Sequence, residues 1–450
     1  MLEILDRKYI GQWPQLWLIA VAVVAGLWLR GFDSTAGQAS SCIINCLLLI
    51  ALQMRAGDDP AFWRRAAPAL ALAVAAIAWA CIASNAQDGV LPDYFGGKLL
   101  SLVAGLAALL AGASIAPRQD QRLVLLDRMT ILVCLSFFVG LLVRSAQFSG
   151  FEGGWPMDRQ GRFVGLVGNS NITAAIAGAF TIYTVVRLLL HVETHGAKKH
   201  GGGAWKDEVL VRTAIRLTMF ALCFGVSLLT ASRTINLLLL IALLAIGFWW
   251  FRAIMRDRMH TWLLPAIVGL AGLFILLLLT GVLVQRYLSL GRGGADRMDM
   301  WMHYWSVAWA SPVFGYGLGS FPFINTETLA TPRMAGALWA VNSPHSIVLQ
   351  LLIGGGLPYL LLLAAAALAM IVQIAGRLRG RWRVDDLAIV MMIVMMFAGG
   401  LVDILLDMPA SVTVFLFLAG LLWGRALRLV APDVEPVRGE QLDHEVAVGV

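Results

Sequence analysis

Residues 347–374 read IVLQLLIGGGLPYLLLLAAAALAMIVQI, a run without a single charged side chain. About 20 apolar residues suffice to cross the ~30 Å hydrocarbon core of a bilayer, so this run is read as a membrane-spanning helix. The rest of the chain repeats the pattern. Of 450 residues, 59% are hydrophobic and only 14% charged, the composition of a polytopic membrane protein. Each span must satisfy its own backbone in lipid, so the expected fold is an all-α helical bundle. About twelve spans are expected, near 13–30, 40–54, 66–85, 96–117, 125–145, 163–190, 213–231, 235–251, 261–284, 347–374, 387–406 and 411–427.

The opening MLEILDRKYIGQW has mixed charge and no small-residue cleavage site, so the first span is expected to be a retained anchor rather than a signal peptide. The five cysteines, Cys42, Cys46, Cys81, Cys134 and Cys223, all fall inside spans. They read as small core residues, with neither a disulfide nor a zinc site expected.

Basic residues orient the bundle. With both termini on the cytoplasmic side, 24 of the 34 lysines and arginines lie in or beside cytoplasmic connections, which is the direction of the positive-inside rule. The net charge of +7 is then a topology signal and a contact with anionic lipid, not a nucleic-acid patch. Outside remain Arg30, Lys98, Arg144, Arg159, Arg162, Arg233, Arg286, Arg292, Arg297 and Arg333, with two histidines, His303 and His345. Arginines placed against the insertion bias suggest an anionic ligand, and the guanidinium fork suits a diphosphate.

Two outer connections are long, 146–162 and 285–344, and a substrate needs such loops around it. In the second, Met298, Trp301, Met302, Trp305, Ala308 and Trp309 recur at helical spacing and Pro312 closes the run. Two placements fit: a helix in the membrane interface with Arg297 and Tyr304 turned to water or a bound head group, or a short helix packed on the bundle. The Gly-rich KKHGGGAW segment reads as a flexible linker and residues 431–450 as a cytoplasmic tail.

His345 stands after Pro344 at the mouth of the 347–374 span. It is either an interfacial histidine bonded to a nearby carbonyl or, kept neutral by a helix N-terminus, a proton acceptor. Arg233 sits in a very short connection between two spans. Arg162 opens the 163–190 span, with Asn169 and Asn171 close behind. Those amides either contact phosphate or sugar oxygens or cap a broken helix. The GYGLGS run (315–320) resembles a phosphate loop but follows a helix and lacks the Lys-Ser/Thr ending. Asp403 and Asp407, at i and i+4 near the outer end of their span, invite ion pairing or substrate contact. No outer His cluster or Asp-x-Asp pair suggests a metal site, and no cofactor is expected.

These passages together resemble the bacterial O-antigen ligase and polysaccharide polymerase family, polytopic GT-C-like glycosyltransferases acting outside the inner membrane. The resemblance rests on RFVGLVGNSNITAA, TASRTINLL, RMDMWMHYWSVAWASPVFGYGLGSF and NSPHSIVLQLLIGGGLPY, in that order. His345-Ser346, Gly356 and Tyr359 fit the ligase-type signature of His, then Asn, Ser or Gln, nine residues, Gly, two residues, and Gly, Thr or Tyr. Arg-x3-Leu elements occur at Arg233–Leu237 and Arg162–Leu166. Many relatives have Asn-Pro-Asn where this chain has Asn169-Ser170-Asn171, and an acid where it has Gly354.

The resemblance implies N-terminal spans (1–145), a catalytic core (146–374) with a periplasmic loop (285–345), C-terminal spans (375–430) and an inner-membrane location. It further implies an undecaprenyl-diphosphate-linked glycan donor and a lipid A-core or growing polysaccharide acceptor. His345 would be the general base and Arg233 a catalytic cation. Arg162, Arg297, Asn169, Asn171, Trp301 and Tyr304 would contact substrate, with no metal needed. A polymerase differs from a ligase in its acceptor. A lipid-linked-glycan transporter is the non-enzyme alternative, and it would place polar residues along a central path at bilayer depth.

Overall fold

The computed structural model describes residues 13–56, 59–87, 91–115, 119–148, 162–196, 203–257, 290–329, 336, 338–339 and 341–429. Helices α1 to α5 run Trp13–Trp28, Thr35–Ala56, Pro60–Asn85, Pro92–Ile115 and Gln119–Phe148. Next come α6 (Ser170–Gly196), α7 (Gly203–Leu229), α8 (Arg233–Asp257), α9 (Leu290–Ala310) and α10 (Phe321–Thr328). The last three are α11 (Ile347–Leu378), α12 (Val384–Val402) and α13 (Pro409–Arg428). Ten helices among the described residues are long and apolar enough to cross a membrane, and Pro14–Trp28 adds a shorter apolar one. The architecture is the all-helical polytopic bundle expected. The span expected at 261–284 lies outside the described residues.

Packing follows sequence neighbours only in part. Helix α4 lies against α2 and α13, α11 against α3, and α6 against α7 and α12. At one end α5, α12 and α13 are tied by charge. Arg122, 1% exposed, meets Asp385 at 2.7 Å and Asp386 at 3.1 Å, and Arg425 also pairs with Asp386. Removing one partner of such a buried network is costly because the other charge stays buried. The network therefore clamps α12 at one end, and the opposite end of α12 carries Asp403.

Several span boundaries move from their expected places, two of them inward for a reason visible in the backbone. The 163–190 span starts only at Ser170, because Gly165 (φ 61°) and Gly168 (φ 82°) adopt left-handed conformations that no helix contains. The 387–406 span stops at Val402, where Asp403 is extended (φ −154°, ψ 175°) and a short 3-10 turn, Ile404–Asp407, follows. Hydropathy averaged over a span could not see either break, since apolar runs lie close on both sides of each.

Helix α11 is also broken, at Gly356 (φ 71°, ψ −172°). The break leaves backbone groups without helical partners, and neighbouring segments supply them. Leu357 N–H donates to Pro312 O at 2.7 Å, Tyr316 N–H to Ile353 O at 2.7 Å, and Trp79 Nε1 to Gly355 O at 2.8 Å. The Gly-rich run after α9 is thus a docking turn for α11, and Tyr359 is buried beside it. The Gly and Tyr of the family signature hold this joint together.

A Cβ on Gly356 would come 2.1 Å from Val313 O, in a backbone conformation reserved for glycine. Gly356→Ala is expected to cost about 3 kcal/mol or more. Gly354→Ala, whose Cβ would meet only Leu318 Cδ2 at 3.7 Å, should unfold within about 0.5 kcal/mol of the parent protein. Thermal unfolding in detergent measures both.

Candidate active site

Asp403 is the centre of the site. Its Oδ2 accepts from Asn171 Nδ2 at 2.6 Å and from Arg297 Nη2 at 3.2 Å. Its Oδ1 accepts the Ile404 N–H at 2.8 Å and stands 3.3 Å from His345 Nδ1. Four elements thereby converge: the first turn of α6, helix α9, the entry to α11 and the end of α12. An ionised carboxylate has about four lone-pair sites, and all are directed at donors.

Burial alone would raise the Asp403 carboxyl. The hydrogen bond and charge of His345, then Arg297 and the Ile404 N–H, outweigh burial and hold it below its ordinary 3.8. The carboxylate can only accept, so His345 Nδ1 carries the proton of their bond. In the neutral form of the ring Nε2 then keeps its lone pair. Asp403 is thus the acid that stands beside His345, where Gly354 supplies none.

His345 itself has φ 51°, a left-handed conformation unusual for a side chain with a Cβ. Such strain costs about 1–3 kcal/mol and collects at functional positions. Ser346 follows in extended conformation and α11 begins at Ile347, so the ring sits just outside the helix. Its side chain is 27% exposed and that of Arg297 41%, against 8% for Asp403. The imidazole and the guanidinium are open to their surroundings while the carboxylate is shielded.

The remaining cations ring the same end. Phe163 N–H donates to Leu229 O at 3.3 Å, which ties the turn carrying Arg162 to the turn leading into Arg233. Arg233 is the first residue of α8 and, like Arg162, is half-buried. Two residues on, Ile235 Cδ1 would meet a Cβ on Gly399 at 2.7 Å, so the entry to α8 abuts α12 one turn before Asp403. Arg162, Arg233 and Arg297 thus sit on adjoining elements, and guanidinium groups of this kind suit an anionic group.

Other expected contacts take different places. Asn169 caps α6: its Oδ1 accepts from the N–H groups of Asn171 and Ile172 at 2.9 and 3.2 Å, the capping role left open above. Tyr304 corrects the expectation of a water-facing edge. It is fully buried, and its hydroxyl donates to Asn325 Oδ1 at 2.6 Å because Asn325 offers a buried acceptor. Trp301 packs beside Tyr304 and Leu349, its Nε1 shielded from solvent. His303 faces Thr328 Oγ1 at 3.2 Å and burial pushes its pKa down. Asp407 pairs with Lys98 at 2.6 Å. No cluster of three or more metal-ligating side chains occurs among the described residues.

The family model described as O-antigen ligase matches residues 218–364. Residues 218–364, about a third of the chain, are thus similar to the O-antigen ligase family. No curated protein matches the chain. The matched O-antigen ligase region contains Arg233, Arg297 and His345, and with them the docking joint at Gly356. Asn171 and Asp403 lie outside it, one on each side. The coarse activity class follows: a multi-pass membrane enzyme of the O-antigen ligase or polymerase type. The sequence marks Asp403 for ion pairing or substrate contact but names no partner for it. The signal that identifies it is an acid at the same end of the bundle as an isolated histidine.

Proposed function

We propose that this protein is an inner-membrane glycosyltransferase that moves a glycan from an undecaprenyl-diphosphate carrier to an acceptor hydroxyl on the periplasmic side. The acceptor we favour is lipid A-core, which makes the reaction O-antigen ligation. The observation that carries this reading is the His345–Asp403 pair, with Nδ1 3.3 Å from the shielded carboxylate and the ring part-exposed.

The donor already has a diphosphate leaving group. The acceptor oxygen attacks the anomeric carbon from the face opposite the diphosphate, its proton passing to His345 Nε2. The bond between the anomeric carbon and the phosphate oxygen breaks, and its electron pair leaves with undecaprenyl diphosphate. Arg233, Arg162 and Arg297 meet the negative charge that grows there, the task a divalent cation performs in other transferases. One displacement inverts the anomeric centre. Asp403 stabilises the imidazolium that forms and does not itself take the proton.

Deletion of the gene provides the test. Ligase function predicts lipid A-core without long chains while full-length chains remain on the carrier lipid. Single repeat units on the core would instead identify a polymerase. Purified protein that moves no sugar from a defined lipid-linked donor to either acceptor would overturn the enzyme reading and favour transport.

A further inference from the structure

Helix α9 has two apolar faces and two edges. Side chains turn by about 100° per residue along a helix, which brings Met298, Met302, Trp305 and Trp309 into one narrow stripe. All four are exposed, at 56%, 63%, 44% and 55%. Met300, Tyr304, Val307 and Ala308 form the opposite face, each no more than 6% exposed. One edge of the stripe is polar and exposed, with Asp299 and Ser306. The other edge carries Trp301 and Arg297, the cation that reaches Asp403.

The depth of this stripe follows from α11. Residues 357–378 of α11, beyond the break, extend about 33 Å at 1.5 Å per residue. That length alone crosses a ~30 Å hydrocarbon core. Arg377, Arg379, Arg381 and Arg383 mark its far boundary. The break at Gly356 then falls at the near boundary, and the Pro312–Tyr316 turn that follows α9 is bonded to that break. Val313 and Phe314 of this turn are 50% and 37% exposed and continue the stripe. Phe314 also stacks on Trp79 of α3, with ring centroids 5.5 Å apart. The C-terminal end of α9 is held where hydrocarbon meets head groups, a depth tryptophan favours.

We propose that α9 is an interfacial helix, its Met298–Trp309 stripe set into the leaflet at the site end of the bundle and its Asp299–Ser306 edge in water. Arg297 then sits on the flank between the bilayer and Asp403, at the depth of lipid phosphates. It is the first cation that a diphosphate on a membrane-anchored chain meets, a consequence that rests on the donor proposed above. The stripe accounts for four large apolar side chains that otherwise face solvent.

Nitroxide labels at positions 302, 305 and 309, one at a time in a cysteine-free protein, test this in phosphatidylethanolamine–phosphatidylglycerol vesicles. Accessibility to oxygen should exceed accessibility to a water-soluble nickel chelate at all three positions, with the order reversed at position 306. Chelate-dominated accessibility at 305 and 309 would overturn the proposal, as would spin–spin broadening that places a second copy on the stripe. The Trp305→Ser and Trp309→Ser double variant should raise the apparent KM for a polyprenyl-diphosphate donor at least several-fold while kcat holds. An unchanged KM would remove the lipid-phosphate role of Arg297. Label accessibility does not depend on catalysis, so failure of the glycosyltransferase reading would leave that result standing.

Discussion

His345→Ala should lower glycan transfer from a lipid-linked donor by about 10²–10⁴-fold, the usual contribution of a positioned general base. In free energy that is about 3–5 kcal/mol of transition-state stabilisation. The loss should fall on kcat, because the ring meets the acceptor hydroxyl as its proton leaves and contributes little to holding the ground state. Protein level should be close to that of the parent. His345 is part-exposed and in a left-handed conformation, so its replacement empties no core, and alanine, which also has a Cβ, leaves the backbone strain about as it was. Single-turnover transfer measured on purified protein decides the matter, and a rate within a factor of two of the parent would sink the assignment of the base.

Asp403→Asn should come close to the same loss through a different cause. The carboxylate accepts from Asn171, Arg297, Ile404 and His345. An amide accepts on one atom only and turns an N–H₂ group toward donors. Either His345 loses the bond that keeps the proton on Nδ1, or Arg297 and Asn171 lose theirs. We expect a fall in kcat of about 10²-fold or more, as for other histidines deprived of an orienting acid. The double variant with His345→Ala should be no slower than His345→Ala alone, since groups acting as one unit are not additive. Asp407→Asn, in the same 3-10 turn but paired with Lys98, serves as a control with a much smaller effect. A double variant far slower than either single one would show that Asp403 acts independently of the histidine.

The same carboxylate has a pH signature. Its folded value is depressed below 3.8, so its contribution to stability is complete above that value and is lost only as the pH falls through the lower folded value. Titration of Asp403 therefore adds no limb to a rate profile at neutral pH.

The parts of the site legible in sequence were those with local or spacing signals. His345 stood alone between Pro344 and a long apolar run, and Arg233 and Arg297 were charges on the unfavoured side of a bundle. Asp403 was visible as an unusual acid but not as the partner of His345, because nothing local links residues 58 positions apart. Asn169 and Asn171 look equivalent in sequence, yet one caps α6 and the other bonds Asp403. Tyr304 was turned the wrong way because α9 is apolar on two faces, and hydrophobic spacing cannot tell a face against protein from one open to its surroundings.

Sequence by itself determined that the chain is a bundle of apolar helices and placed most of their boundaries. The thickness of a bilayer and the need to satisfy backbone groups in lipid leave few other solutions for such runs. It also singled out His345 and the arginines as candidates, because charges in an apolar chain are few and each position is informative. The tertiary structure decided what those groups do together. It brought Asp403 to His345 across the packed ends of α6, α9, α11 and α12. It also turned the Gly356–Tyr359 half of the signature into a joint between the α9 turn and α11. Both depend on contacts between distant segments, whose energy exists only once the helices are packed.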